Sequence, residues 1–404
     1  MRTSFIQSPI GQYLLVTGNY WAFTLTDGAL RMLVVLFFHQ LGYSPLEVAM
    51  LFLFYEFFGV VTNLVGGWLG ARIGLNKTMN IGLALQVLAL AMLLVPTSML
   101  SVIYVMAAQA LSGIAKDLNK MSAKSAIKTL LPENEQGSLY KWVAVLTGSK
   151  NALKGCGFFL GGLLLTLFEF RGAIALMVAF LLVVWCLSLL LLKAELGKAK
   201  HKVKFKQLFA KEPRINYLSA ARMFLFGARD IWFVVALPVY LSTQLAWQHE
   251  FIGTFMAAWI IGYGLIQTQA PKITQWGGQN RSNSDKALLW VSILLFIPIT
   301  IAYLQVLNWH VELVLVIGLL LFGAVFAVNS SLHSYLIVSF AKADGVSVDV
   351  GFYYMANAAG RLIGTILSGA LYQSYGLEAC LIGASVFLLL AVLLTKPLSR
   401  YSSG

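Results

Sequence analysis

The feature that most constrains this chain is a series of long apolar runs, each close to the ~20 residues that a helix needs to cross a bilayer. The chain is 59% hydrophobic and 11% charged, whereas a soluble domain carries about 25% charged residues. The runs, numbered 1 to 12 below, predict an all-α integral membrane protein with twelve transmembrane helices. Along the 404 residues they cover 12–38, 45–70, 78–95, 98–122, 139–167, 171–192, 215–241, 248–270, 287–304, 311–341, 346–372 and 377–394.

The basic residues are divided unevenly between the two sets of connections. Connections that follow odd-numbered runs hold one basic residue, Arg171, whereas the opposite side holds nineteen. Because basic residues accumulate on the cytoplasmic side of membrane proteins, both termini are predicted to be cytoplasmic. The same rule accounts for the net charge of +13, so no nucleic-acid partner is expected.

Several residues recur at a spacing of 203, which is close to half of the 404 residues. The chain therefore consists of two related halves. We predict two six-helix bundles, residues 1–192 and 215–404, joined by a basic cytoplasmic linker, 193–214. The recurring pairs are Gly148 and Gly351, Gly157 and Gly360, Gly161 and Gly364, Asp27 and Asp230, and Gly59 and Gly262.

Run 5 contains the stretch TGSKNALKGCGFFLGG, in which two lysines interrupt an apolar, glycine-rich segment. Lys150 and Lys154 are four residues apart, so they share one helix face. Small residues beside them allow another helix to approach closely. A lysine at membrane depth costs about 3 kcal/mol on insertion scales, so two on one face indicate water, counter-charges or a bound anion.

Interior charges fall on runs 1, 2, 4, 5, 7 and 11, whereas runs 3, 6, 9 and 12 have none. In a two-bundle transporter the charge-free runs would face lipid, and the others would border a water-filled, cationic cavity. The interior bases are Arg31, Lys116, Lys120, Lys124, Lys150, Lys154, Arg222, Arg229 and Arg361. The interior acids are Asp27, Glu56, Asp117 and Asp230.

An excess of buried bases favours a ligand with several negative charges, because arginine binds phosphate and carboxylate bidentately and lysine acts as a point charge. The predicted substrate-binding residues are Arg31, Lys150, Asn151, Lys154, Arg229, Asn357 and Arg361. The proton-coupling candidates are Asp27, Glu56 and Asp230, since a neighbouring cation or anion changes how readily a buried carboxyl binds a proton.

Sequence spacing also suggests how some charges pair. Asp27 and Arg31 are four residues apart and could neutralise each other. Arg229 and Asp230 are adjacent, so their side chains are expected to point apart and to find partners elsewhere. Lys120 and Lys124, near the cytoplasmic end of run 4, are expected to snorkel toward water.

The connection after run 2 reads GWLGARIGLNK and resembles the G-x-L-x-D-R-x-G-R-K signature of the major facilitator superfamily. Gly67, Arg72 and Gly74 match it, whereas Ala71 and Leu75 replace its aspartate and second arginine. The resemblance implies the major facilitator fold and a gating role for this connection. The two departures remove charges that the signature uses to latch the gate.

Four longer stretches are similar to the ArsJ family of organoarsenical efflux permeases: QYLLVTGNYWAFTLTDGALRMLVVL, QALSGIAKDLNKMSAKSAIK, YKWVAVLTGSKNALKG and LSAARMFLFGARDIWFVVALPVYL. The resemblance covers nearly the whole chain. It implies export of 1-arseno-3-phosphoglycerate from the bacterial cytoplasm through the inner membrane, and hence arsenate resistance. That compound forms when glyceraldehyde-3-phosphate dehydrogenase uses arsenate instead of phosphate, which makes the dehydrogenase a functional partner.

Two alternatives remain open. An organophosphate/phosphate antiporter, or an antiporter of another multivalent organic anion, would need the same cationic residues. A membrane enzyme is disfavoured, because the sequence lacks GxSxG and HExxH motifs, and the adjacent His333 and Ser334 point in different directions. The scattered Cys156, Cys186 and Cys380 form no metal-binding motif, so neither a metal nor a cofactor is expected.

Overall fold

The computed structural model describes residues 8–43, 51–130, 136–192, 212–247, 249–275, 282–342 and 346–400. The linker 193–214 lies outside these residues except at its last three positions, and Arg2 and Arg281 lie outside them as well. Apart from one short 3-10 turn, every described element is an α-helix. The helices are α1 Pro9–Gln40, α2 Leu53–Ile73, α3 Leu75–Met92, α4 Val102–Leu130, α5 Gln136–Leu191, α6 Pro213–Phe233, α7 Ala236–Thr243, α8 His249–Gln275, α9 Asn283–Val306, α10 Val311–Phe340 and α11 Val346–Arg400.

Two of these helices are far longer than a membrane is thick. At ~1.5 Å per residue, the 56 residues of α5 would extend about 84 Å, against a hydrocarbon core of ~30 Å. Each long helix is two helices joined at a non-helical residue, Glu169 (φ 56°) in α5 and Gly376 (φ 83°) in α11. Runs 5 and 6 thus form α5, runs 11 and 12 form α11, and run 7 is divided between α6 and α7. Within the described residues, a helix overlaps each of the twelve predicted runs.

The protein packs into two compact units. The first contains Met1–Leu139, Ser149–Ala210 and Ala341–Met355; the second contains Tyr140–Gly148, Lys211–Phe340 and Ala356–Gly404. Most of each unit comes from one half of the sequence. Two segments are exceptions: Tyr140–Gly148 of α5 belongs to the second unit, and the start of α11, up to Met355, belongs to the first. The domain boundaries at the linker therefore stay a prediction.

Glycines bring the helices of each unit into backbone contact. In the first unit, a Cβ on Gly157 of α5 would lie 3.1 Å from the Cα of Gly28 in α1. In the second unit, a Cβ on Gly364 of α11 would lie 2.6 Å from the carbonyl oxygen of Gly227 in α6. Neither position has room for a larger residue. The crossing of α5 on α1 is thus repeated by α11 on α6, as the spacing of 203 predicts.

A second pair of crossings involves the first turns of the same two helices. In the first unit, Gly351 of α11 packs on Gly67 of α2, and the Ser347 hydroxyl donates a 2.7 Å hydrogen bond to the Gly67 carbonyl. In the second unit, Gly148 of α5 packs on the Gly264 carbonyl of α8. Gly148 and Gly351 are partners in the sequence repeat, so each repeated glycine serves the same kind of contact.

The four charge-free runs expose large apolar side chains, as predicted for helices that face lipid. Examples are Leu88 in α3, Val183 in the second part of α5, Phe296 in α9 and Val386 in the second part of α11. Runs with interior charges expose large apolar side chains as well, for example Ile103 in α4. Exposure therefore does not separate the two sets of runs, and which helices face lipid stays a prediction.

We expect Gly360→Ala to destabilise the protein by about 1–3 kcal/mol, the usual cost of overpacking, because the added methyl group would meet the backbone carbonyl of Met223. Gly369→Ala in the same helix is the matched control, since nothing lies within 4 Å of the position that its Cβ would take. Thermal melting of the purified variants in detergent measures the difference. Equal melting temperatures would contradict the backbone crossing of α11 on α6.

Candidate functional site

The most deeply buried charge of the second unit is Asp230, whose side chain is fully buried in α6. Arg229 approaches one carboxylate oxygen at 2.5 Å, and Arg361 of α11 donates to the other at 3.1 Å. The prediction that Arg229 and Asp230 point apart is wrong, because the long arginine side chain folds back along the helix, with Nε 2.6 Å from the carboxylate. Two guanidinium groups thus share one carboxylate.

The glycine crossing determines which arginine reaches Asp230. A Cβ on Gly364 would lie 3.0 Å from the Cβ of Asp230, so α11 passes directly over the carboxylate. Arg361, one turn earlier on α11, is thereby placed beside it. The Phe226 ring lies between two guanidinium groups, 3.8 Å from that of Arg222 and 5.0 Å from that of Arg229. Such cation–π contacts hold arginines in place without neutralising them.

Asn357 of α11 joins a buried polar network around Arg222. The Arg222 Nε donates to the Asn357 amide oxygen at 2.9 Å. Its Nη1 lies 3.1 Å from both the carbonyl and the hydroxyl oxygen of Ser330 in α10. Tyr263 and Gln267 of α8 donate to the same hydroxyl at 3.0 and 3.1 Å. Residues of α6, α8, α10 and α11 therefore form one hydrogen-bond network around the Arg222 guanidinium group.

In the first unit, the charges of α1 pair with α2. Arg31 forms a 3.0 Å salt bridge with Glu56, and Asp27 accepts hydrogen bonds of 2.7 and 3.0 Å from the Tyr55 hydroxyl. Asp27 and Arg31 could neutralise each other by spacing, but each has its direct contact with a residue of α2 instead. The Arg31 guanidinium also lies 4.8 Å from the Tyr55 ring, so all four residues form one cluster.

Lysines of α4 extend this cluster. Lys120 forms a 2.6 Å salt bridge with Asp117, and Lys116 lies 4.0 Å from the other carboxylate oxygen. Lys116 also lies 3.7 Å from the centre of the Tyr55 ring. Lys124 is 3% exposed. The prediction that Lys120 and Lys124 snorkel is wrong, because Lys124 is buried and the Lys120 ammonium turns to Asp117 within the helix.

Lys150, Asn151 and Lys154 lie half-buried along α5 in the first unit. The crossing on α1 positions them, since a Cβ on Gly28 would lie 2.8 Å from the backbone oxygen of Lys154. The Lys154 ammonium lies 5.8 Å from the Phe158 ring of the next turn. Lys154 therefore lies at the contact between α5 and α1, and Lys150 and Asn151 lie about one turn earlier on α5.

The predicted gating residues lie at the junction of α2 and α3. Gly74 forms the turn between these helices with φ 100°, a conformation that favours glycine. Arg72 is exposed and stacks 5.0 Å from the Trp68 ring. Ala71, which replaces the aspartate of the signature, is buried against Val348 of α11. An aspartate there would be buried against an apolar side chain, so the substitution suits its surroundings.

The structure thus forms two charged clusters. The first unit's cluster contains Asp27, Arg31, Tyr55, Glu56, Lys116, Asp117 and Lys120, and the second unit's contains Arg222, Arg229, Asp230, Asn357 and Arg361. Lys116, Asp117 and Arg222 were not among the predicted site residues. The spacing of four between Lys116, Lys120 and Lys124 was a usable signal, because it places three lysines on one helix face. No comparable pattern in the sequence indicates that Arg222 contacts Asn357, 135 residues away.

A cavity of about 550 Å³ in the second unit is chemically different from both clusters. Three aromatic residues, Trp247, Phe251 and Phe255, line it together with Glu312. The Trp247 indole donates a 2.8 Å hydrogen bond to that carboxylate. It contains none of the predicted site residues, and its single charge is negative, so it does not suit an anion.

The fold is similar to that of several solved transporters. The fucose:proton symporter FucP of E. coli aligns over 96% of this chain and 99% of its own, with a TM-score of 0.73 and 10% identity. The human organic anion transporter MFSD10 aligns over 95% and 99%, with a TM-score of 0.73 and 16% identity. A bacterial homologue of the iron transporter ferroportin in its outward-facing state aligns over 97% and 100%, with a TM-score of 0.74 and 13% identity. At these identities the similarity establishes the fold alone.

Family membership rests on the sequence itself. No curated protein matches the chain. The family model described as Major Facilitator Superfamily matches residues 16–348, most of the chain, including both charged clusters except Asn357 and Arg361. The protein therefore belongs to the major facilitator superfamily of membrane transporters.

Proposed function

We propose that this transporter exports 1-arseno-3-phosphoglycerate, a multivalent organic anion, and so confers arsenate resistance on a bacterium. The observation that carries the proposal is the excess of interior bases over acids in each unit. Among the described residues, the first unit has six such bases (Arg31, Lys116, Lys120, Lys124, Lys150 and Lys154) and four acids that are buried or half-buried (Asp27, Glu56, Asp117 and Asp349). The second has three bases (Arg222, Arg229 and Arg361) and one acid, Asp230.

The geometry around Asp230 supports an anionic ligand. Its carboxylate is shared by Arg229 and Arg361, which leaves this group of three with a net positive charge. Lys116 and Lys120 share Asp117 in the same way in the first unit. Two bases on one acid are expensive to bury at membrane depth, so an incoming anion would stabilise either group. Guanidinium and ammonium groups also suit the oxygens of phosphate esters and acyl arsenates.

The substrate itself is inferred from the resemblance to the organoarsenical permeases. A phosphate at one end and an acyl arsenate at the other give 1-arseno-3-phosphoglycerate several negative charges. Glyceraldehyde-3-phosphate dehydrogenase would supply it, so the two proteins act in sequence. With both termini in the cytoplasm, the proposed location is the bacterial inner membrane.

We further propose that proton antiport drives export through rocker-switch alternating access. The contacts of the three candidate acids differ. Glu56 and Asp230 form salt bridges with arginines, whereas the hydrogen bonds of Asp27 come from the Tyr55 hydroxyl. Protonating Asp27 would break no direct salt bridge. Asp27 is therefore the best candidate for the proton carrier, and Asp230 serves as a shared counter-charge.

The first experiment is uptake into everted membrane vesicles that contain the protein, with dehydrogenase, its substrates and arsenate generating the compound outside. We expect accumulation that depends on the dehydrogenase and disappears when a protonophore collapses the proton gradient. Arsenate alone is the control. Accumulation that survives the protonophore and requires internal phosphate would instead support the anion-exchange alternative. No accumulation by folded protein would contradict the proposed substrate.

Substituting the lysines of α5 tests whether they bind the anion. We expect Lys150→Ala and Lys154→Ala each to abolish arsenate resistance in dehydrogenase-producing cells, because each removes a positive charge from the contact between α5 and α1. Lys141→Ala, at an exposed position of α5, removes the same charge and should leave resistance unchanged. Membrane abundance is measured in parallel. Full resistance in both α5 variants would contradict their assignment.

Substituting the acids distinguishes a residue that couples proton movement to transport from one that stabilises the fold. Asp27→Asn should retain substrate exchange across the membrane but lose accumulation driven by a proton gradient, because an amide does not take up a proton. Asp230→Asn should lower the melting temperature, since removing one partner of a buried ion pair costs about 3–5 kcal/mol. Gradient-driven accumulation by Asp27→Asn at the wild-type level would exclude Asp27 as the proton carrier.

A further inference from the structure

We infer that Arg222 is a positioning residue that fixes the Asn357 amide so that its NH₂ group, and not its carbonyl, is available to the transported anion. This inference rests on the proposed function and identifies what sets the preference of the second unit for anions. An asparagine side chain can donate or accept hydrogen bonds, so by itself it does not distinguish an anion from a cation. The contact with Arg222 removes that ambiguity.

The orientation follows from donor chemistry. A guanidinium group has five N–H donors and no acceptor. The atom of Asn357 that lies 2.9 Å from the Arg222 Nε must therefore be the carbonyl oxygen. Among the described residues, Arg222 is the hydrogen-bond partner of this side chain. The amide is 7% exposed, and its NH₂ group keeps its donors for a ligand.

Arg222 is itself held on several sides. It is 3% exposed, and its Nη1 donates to the carbonyl and hydroxyl oxygens of Ser330. Tyr263 and Gln267 hold that hydroxyl in place, and the Phe226 ring covers the guanidinium plane at 3.8 Å. Rotating Arg222 would break these contacts inside a low-dielectric environment, where unpaired polar groups are costly. The guanidinium group therefore acts as a rigid support for Asn357.

The sequence repeat supports the inference independently. Asn357 lies 203 residues after Lys154, so the two occupy equivalent positions on α11 and α5. A lysine ammonium can only donate hydrogen bonds. Fixing the Asn357 amide makes it a donor toward the ligand as well. Both halves thus present a hydrogen-bond donor at the equivalent position, and this is the chemistry that recognises an oxyanion.

The test compares two substitutions of Asn357 in the full-length protein. Asn357→Asp keeps the contact with Arg222 but replaces the NH₂ group by a carboxylate oxygen, which repels an anion. Asn357→Ala removes the donor without adding repulsion. Apparent affinity for 1-arseno-3-phosphoglycerate in vesicles, and for 3-phosphoglycerate by titration of purified protein, should fall in the order wild type, Asn357→Ala, Asn357→Asp. We expect a loss of about tenfold or more for the aspartate, in line with hydrogen bonds to charged groups.

Gln269→Glu is the matched control, because it adds the same negative charge at an exposed position of α8 and should leave affinity unchanged. Arg222 is tested by double substitution. Arg222→Gln should raise KM more than it lowers kcat in the wild-type background and have little further effect in Asn357→Ala. Arg222→Lys should restore part of the affinity, since an ammonium can still donate to the amide oxygen.

Each outcome decides the inference. If Asn357→Asp binds either anion as well as Asn357→Ala does, or if Arg222→Gln weakens binding equally in both backgrounds, Arg222 does not act through Asn357. If Arg222→Gln fails to fold, Asn357→Asp still tests the donor, because it retains both side chains of the contact. Wild-type protein that binds neither anion would overturn the proposed function together with this inference, whereas normal wild-type binding with an unaffected aspartate variant would overturn the inference alone.

Discussion

Close backbone contact at glycines is the constraint on which the rest of this structure depends. In a bilayer there is little hydrophobic driving force between helices, so association relies on van der Waals packing and on polar contacts. Gly157 of α5, which packs on α1, and Gly364 of α11, which packs on α6, permit this packing where any side chain would collide with backbone. The same crossings bring charged residues of different helices within reach of one another. The same glycine contacts thus determine both how the helices pack and which charged residues meet.

Buried carboxylates organise the bases that these contacts bring together. Asp117 holds two lysines in the first unit, and Asp230 holds two arginines in the second. Each carboxylate lowers the cost of burying cations but does not cancel their charge. This excess of bases is what the proposed anionic substrate would stabilise on binding. Arginines and lysines differ in geometry, so the two units would contact an oxyanion in different ways.

Much of the fold was predictable because periodicity and spacing are local properties. The twelve apolar runs predicted the helices. The spacing of 203 predicted that Gly157 and Gly360 would serve equivalent contacts. Pairing was predicted less well. The side chain of Arg229 folds back onto Asp230, and Lys124 is buried, and neither arrangement can be derived from the spacing of residues along one helix.

The sequence by itself determined the membrane-spanning helical class, the internal repeat and the excess of buried bases, because each depends on composition and order along the chain. Tertiary structure alone decided which partner each charge has. Arg31 pairs with Glu56 rather than Asp27, and Arg222 supports Asn357 from 135 residues away. The physical reason is that the energy of a buried charge depends on every group within a few ångströms, and helix crossings bring together groups that are distant in sequence.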